Sequence, residues 1–322
     1  MDNKITRSRL KTFFEYDLVK LIALVLGVVL ALYFIFGAVA KKPTDGQDYF
    51  LMIGDDVIVD TEGKGLLNEV KNSKYNDYGF SYDVLRVTNM VIDDSAYSSS
   101  YMMNTYVELN EDDAFIVTDS EGDGLYENYV SNYYAIEIYD YINLALKYVT
   151  ENGFVNENGE FNEDKIRANF EKTRGNDSRF ETSKLFNDGL KEEINRIKAV
   201  YKNAVVLKKV LANHPELLYK KEQVETNVNG VKGVKEGYFA LNLSALNGNG
   251  SNVISNAFYR KVVVDEESGD VEYTTSGIVL MIGNNYNSNY DLDYESLALI
   301  NKIISKYSTF IEELNVNEIP EI

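Results

Sequence analysis

Tyr49-Phe50-Leu51-Met52-Ile53 ends in Gly54-Asp55-Asp56, and Ala114-Phe115-Ile116-Val117 is followed by Thr118-Asp119. Short apolar runs backed by turn residues read as strands buried on both faces. Tyr82–Val87 (YDVLRV) reads as a strand between them, with Val84 and Leu85 inward. Leu66–Lys71 and Tyr101–Leu109 carry helical patterns in the intervals. Val57–Val59 either pairs back on the first strand as a hairpin or leads into the first helix. Strand, helix, strand, helix, strand predicts parallel βαβ units and an α/β class.

Upstream lies Leu21–Ala40, LIALVLGVVLALYFIFGAVA, twenty residues without a charge. As a helix it would extend roughly 30 Å, the thickness of a bilayer's hydrocarbon core. Residues 1–20 hold Lys4, Arg7, Arg9, Lys11 and Lys20, against Lys41 and Lys42 on the far side. Basic residues stay on the cytoplasmic side, so a cytoplasmic segment 1–20 and an extracellular body are expected. Tyr33, Phe34 and Phe36 suit an interfacial aromatic belt. Ala38-Val39-Ala40 also has the small-x-small pattern of a signal-peptide cleavage site. The apolar run exceeds the ~7–15 residues of a signal core, which favours an uncleaved single-pass anchor at the cell membrane.

The chain of 322 residues carries −19. Residues 1–40 contribute +2, leaving −21 for the remainder. Such a body is repelled by nucleic acid and stays soluble, so no nucleic-acid partner is expected. There is no cysteine, which removes disulfides, thiol nucleophiles, thiolate metal sites and a lipid-modified cysteine anchor. The single histidine, His214, precedes Pro215, where a helix stops, and there it caps a helix end rather than performs catalysis. No Walker loop and no GxSxG elbow occur.

Further along, Ala135–Thr150 reads as a helix, and Asn162 caps another through Phe170. Ser183–Leu211 is the longest helical pattern outside the anchor, with Phe186, Leu190, Ile194, Ile197, Tyr201 and Ala204 spaced by threes and fours. Tyr238–Leu243, Tyr259–Val264, Val271–Thr275 and Ile278–Ile282 are strand-like, with a turn at Glu267-Ser268-Gly269-Asp270. Tyr294–Glu313 closes the chain as an amphipathic helix.

Tyr101–Glu108 followed by Asp112–Asp119 resembles the helix, acidic turn and strand that lead to the cleft of extracellular solute-binding proteins. Tyr238–Leu243, Ser276–Gly283 and Leu297–Lys306 are similar to their closing passage, a returning strand and a helix. Residues 11–36 resemble the basic-aromatic lead-in and anchor of a group of single-pass Gram-positive membrane proteins. The resemblance implies a two-lobed fold of the periplasmic-binding type, with residues 43–140 plus 270–322 as first lobe and 141–269 as a helix-rich second lobe. It carries over no ligand, and the missing lipid-anchoring cysteine departs from the usual Gram-positive receptor.

In open parallel sheets ligands gather beyond the carboxyl ends of the strands. That selects Gly54 and Asp55 after the first strand, Asn89 after the second and Asp119 after the third, with Tyr97, Tyr101 and Tyr106 as aromatic neighbours. Ordinary loop chemistry explains the same residues. Gly63-Lys64-Gly65, placed before a helix, is either an anion cradle or a plain turn. Asp119, Glu121 and Asp123 alternate like the start of a calcium loop, but position twelve is Val130 rather than glutamate. No metal and no cofactor are therefore expected. Asp55-Asp56 and Asp112-Asp113 are the adjacent carboxylate pairs that a glycosidase reading would need. The expected function is non-catalytic capture of a small molecule or peptide. An outer interaction module of a membrane complex is the alternative, and a carboxylate-based glycosidase stands third.

Overall fold

The computed structural model describes residues 18–39, 47–92, 113–119, 125–156, 159–175, 177–228, 231–265, 269–284 and 294–315, with residues 7, 11, 105, 106 and 320. Residues 1–44 and 45–322 form two separate units.

The first unit is built on helix α1, Leu18–Val39. Ile22, Leu24, Val25, Leu26, Val28, Val29 and Leu30 are each between 50 and 65% exposed. At 100° per residue these positions, with Ala23 and Gly27, cover the whole circumference, so α1 has no polar face along this stretch. The side chains of residues 31–39 lie outside the described residues. Among the described residues no helix is long and apolar enough to cross a membrane.

The second unit is mixed α/β. Its strands are β1 (Asp48–Gly54), β2 (Val57–Val59), β3 (Arg86–Ile92), β4 (Ala114–Thr118), β5 (Lys221–Val228), β6 (Val231–Tyr238), β7 (Ala240–Asn242), β8 (Phe258–Asp265), β9 (Asp270–Thr274) and β10 (Ile278–Ile282). Its helices are α2 (Thr61–Asn72), α3 (Leu125–Ser131), α4 (Ile138–Glu151), α5 (Glu163–Arg174), α6 (Ser183–Asn213) and α7 (Glu295–Tyr307). The central sheet has the order β3-β1-β4-β10-β7. β3, β1 and β4 are mutually parallel, as the βαβ pattern predicts, while β10 runs antiparallel to both β4 and β7.

Alternation along the central strands creates two apolar layers. Leu51 and Ile53 of β1, Ile116 of β4 and Leu280 of β10 face a core completed by α2, α4, α6 and α7. Met52, Phe115, Val117, Val279 and Met281 face the opposite layer, covered by Leu125, Tyr126 and Tyr129 of α3 and by Val224 of β5. Each central strand is thus buried on both sides, so its sequence shows no polar alternation. The first core takes Ile197, Leu207 and Phe258 from the 141–269 segment and Leu51, Ile116 and Leu297 from the flanking ones.

The helix starts follow local chemistry. Asn162 Oδ1 accepts from Lys165 N at 3.1 Å, Glu137 Oε2 from Asp140 N at 2.7 Å and Thr182 Oγ1 from Leu185 N at 3.2 Å. These caps satisfy donors that the first helical turn leaves open. His214 stands at the C-cap of α6, its backbone N–H donating to Val210 O at 2.7 Å, and its ring stacks on Phe310 at 3.8 Å.

Several elements differ from the sequence expectation; the closing helix, for one, ends at Tyr307 rather than Glu313. The second strand is Arg86–Ile92, not Tyr82–Val87. Val84 is buried, but in the turn before the strand, where its N–H donates to Ser81 O. Gly63-Lys64-Gly65 lies inside α2, whose N-cap is Asp60, and so does not form a cradle ahead of a helix. Gly63 is there for contact: a Cβ on it would come within 2.4 Å of the Ala257 carbonyl oxygen.

The antiparallel ribbon β8–β9 extends a three-stranded sheet of order β2-β8-β9. β2 pairs only with residues 258–260 of β8. Beyond Arg260, Val263, Val264, Val271 and Tyr273 are exposed.

Gly63→Ala should lower stability by about 1–3 kcal/mol, the usual range for overpacking. Urea unfolding of Gly63→Ala beside Gly65→Ala, whose Cβ position is open, checks this. An undiminished midpoint for Gly63→Ala would show that α2 has room to move.

Candidate functional site

Several polar constellations occur among the described residues of the second unit. The first lies in the interior, around the loop Ser81-Tyr82-Asp83. Asp83, 1% exposed, receives Arg179 Nη1 and Arg174 Nη2, each at 2.8 Å. Tyr82 Oη donates to Glu193 Oε2 at 3.0 Å, and Arg196 donates to Glu193 through both Nε and Nη2 at 2.8 Å. Burial raises the Glu193 carboxyl, but Arg196 and Tyr82 outweigh it and hold Glu193 below the usual range. Glu295 accepts from the Ser81 backbone N–H at 2.9 Å, and burial raises its carboxyl above the usual range. Matched charges and satisfied donors make this a structural lock that ties the loop to α5, α6 and α7.

The second constellation sits at the carboxyl ends of β1 and β4. The Asp119 backbone N–H donates to Gly277 O at 2.9 Å, which sets the exit of β4. Tyr219 donates its hydroxyl to Asp119 Oδ2 at 2.8 Å. Lys220 Nζ lies 3.0 Å from Asp119 Oδ2 and 3.3 Å from Glu222 Oε1. Tyr126, from α3, reaches Glu222 Oε1 at 3.5 Å. The Tyr126 and Tyr219 rings meet edge to face at 5.5 Å, and Lys220 Nζ stands 4.8 Å and 5.9 Å from their centres. Burial, then the hydrogen bond to Asp119, pushes the Tyr219 phenol up to about 12. Burial and Glu222 also raise Tyr126, so both rings remain neutral phenols at physiological pH. Arg260 is the other cation whose charge reaches Tyr219, and its Nε is buried without a hydrogen-bond partner among the described residues.

The structure unites some of the sequence-selected residues and separates others. Asp119 is central to the cluster. Gly54 is buried, and a Cβ on it would meet Asp56 Oδ1 and Leu125 at 3.2 Å. Asp55 is exposed at the same strand end, and Asp56 accepts a hydrogen bond from Thr118 Oγ1. Asn89 is not after a strand: it pairs with Leu51 in the middle of β3, because that strand starts four residues later than the apolar pattern suggests. Tyr97, Tyr101, Asp112, Glu121 and Asp123 lie outside the described residues, as does most of the expected helix Tyr101–Leu109. Tyr106 packs on Phe50 with ring centres 5.4 Å apart, and Asp113 Oδ2 accepts from Phe50 N at 2.7 Å. No group of three metal-binding side chains occurs among the described residues.

Tyr126, Tyr219, Lys220 and Glu222 are absent from the sequence-based selection. The last three stand where the chain enters the hairpin β5–β6, for which Asn229-Gly230 is the turn signal in the sequence. A separate concavity of about 490 Å³ lies beside the start of α5. Its Asn156, Glu160 and Asn162 bond within their own turns.

Comparison with protein-family models, with curated proteins and with solved structures finds no match to this chain.

Because the folded state holds the Glu295 proton more tightly than the unfolded chain does, Glu295 contributes stability fully at low pH. That contribution disappears as pH rises through the folded-state value. Glu295→Gln keeps an acceptor for Ser81 and has no charge to bury. Its stability relative to wild type should therefore rise between about pH 4 and pH 7 in urea titrations. A difference that stays flat with pH would show that Glu295 is not strained in its ionised form.

Proposed function

We propose that the chain is a membrane-tethered binding protein, with residues 1–20 in the cytoplasm, Leu21–Ala40 in the bilayer and the body from residue 45 onward outside the cell. The body captures a small molecule or peptide and performs no chemistry on it. One observation carries the tether: the residues from Ile22 to Leu30 expose apolar side chains around the full circumference of that stretch of α1. Such a surface is unfavourable in water and suited to lipid. Capture draws support from the carboxyl ends of β1 and β4, where Asp119, Tyr126, Tyr219, Lys220 and Glu222 converge from distant segments. Parallel order β3-β1-β4 and the return of β10 beside β4 accord with a solute-binding kind of domain. An interaction module is the second reading, favoured by the exposed Val263, Val264, Val271 and Tyr273 of the β8–β9 ribbon.

Both parts are testable on the full chain. It should float with phosphatidylcholine vesicles through a density gradient, and deletion of residues 18–39 should abolish flotation. A deletion variant that still floats would refute the tether. In detergent, pools of sugars, amino acids, peptides and nucleosides should include one that stabilises the body by about 2.7 kcal/mol at a hundredfold excess over Kd. No response to any pool would transfer the assignment to the interaction module.

A further inference from the structure

We propose that Tyr126, Tyr219, Asp119 and Glu222 form a receptor for a primary ammonium group, closed in the free protein by Lys220 acting as an internal stand-in for the ligand. The inference rests on the capture reading above and assigns that site its ligand class. The geometry is that of an ammonium cage. Two phenol rings at right angles present their faces to Lys220 Nζ at 4.8 Å and 5.9 Å, inside the range over which a ring face attracts a cation. Two carboxylates complete the enclosure at 3.0 Å and 3.3 Å.

The cage is built independently of its occupant. Tyr126 is 2% exposed and belongs to the second core layer. Tyr219 is fixed by its backbone N–H to Ala240 O at 3.0 Å and by its hydroxyl to Asp119. Asp119 is fixed through its own N–H to Gly277. Lys220, by contrast, has a side chain 44% exposed and enters from the solvent side on a flexible stem. It can leave without disturbing either core layer. Without Lys220 the cage would hold two carboxylates and two neutral phenols, with Arg260 as the other cation whose charge reaches Tyr219. Opening therefore creates a site for a cation rather than an anion. An ammonium-bearing ligand, whether a small alkylamine or the lysine side chain of a peptide, exchanges with Lys220 one for one.

The test uses the full chain in detergent micelles and n-butylammonium, which reproduces the lysine side chain as a free molecule. Isothermal titration should show Lys220→Ala binding n-butylammonium at least about tenfold more tightly than wild type, because the tethered competitor is gone. n-Butanol and butyrate should not bind. Asp119→Asn placed on the Lys220→Ala background should abolish the gain, while Lys220→Met, whose longer side chain still fills the mouth, should show less of it. A peptide N-acetyl-lysine amide binding more tightly than n-butylammonium identifies the peptide source, and the reverse identifies the small amine. Equal binding of n-butylammonium by wild type and Lys220→Ala overturns the proposal, as does equal binding of n-butanol. The cage is judged by Lys220→Ala whatever the ligand pools do. The capture reading is judged by the wild-type response to the pools whatever Lys220→Ala does.

Discussion

Strands β1, β4 and β10 are covered on both faces, and every residue from Leu51 to Ile53, from Ala114 to Thr118 and from Ile278 to Ile282 is buried. Two separate coverings are therefore required, and the chain draws each from several places. α2, α4, α6 and α7 cover one face, while α3 and the start of the β5–β6 hairpin cover the other. The site follows from this arrangement. α3 and the segment from Tyr219 into β5 supply both the lid over Phe115 and Val117 and, together with Asp119, the phenol, ammonium and carboxylate groups at the end of β4. The groups that close the core also furnish the rim.

The interior lock is a second consequence of covering a sheet with long helices. Ser81 and Asp83 are buried and Tyr82 is half-buried, so their polar groups must find partners inside. Arg174, Arg179, Glu193, Arg196 and Glu295 provide them from three helices and an intervening turn. Removing one partner leaves the others charged and dry, so such a network ties the helices to one arrangement. The rim at Asp119 is different in kind. Its lysine side chain is 44% exposed, and its contacts can be exchanged at low cost.

Much of this fold is legible in the sequence where local pattern and burial coincide. YFLMI, AFIV and the run Ile278–Ile282 are strands because each is apolar on both faces, and Asn162 is read as a cap because its chemistry is local. Val84 and Leu85 mislead, since an apolar side chain reports burial and not strand pairing, and Val84 is buried in a turn. Gly63 misleads for a related reason: its neighbour across the contact, Ala257, is distant in sequence. The hairpin β5–β6 is obscured by its charges, which leave Val224 and Gly237 as the buried positions among its described residues. The rim depends on the meeting of residues 119, 126 and 219–222, and no spacing within one segment encodes it.

The β8–β9 ribbon has one further consequence. β9 is the last strand of its sheet, so its outer backbone groups could pair with another copy of the same strand, and the nearby valines and tyrosine would favour that contact. Asp265 closes β8, however, and Asp270 opens β9, the two facing each other across the ribbon. A second ribbon laid parallel on β9 would bring its own Asp265 and Asp270 beside these two, and the repulsion would reach about 8 Å at physiological ionic strength. In that arrangement the acidic pair would act as an electrostatic fender on the edge. Its reach would shorten as salt rises.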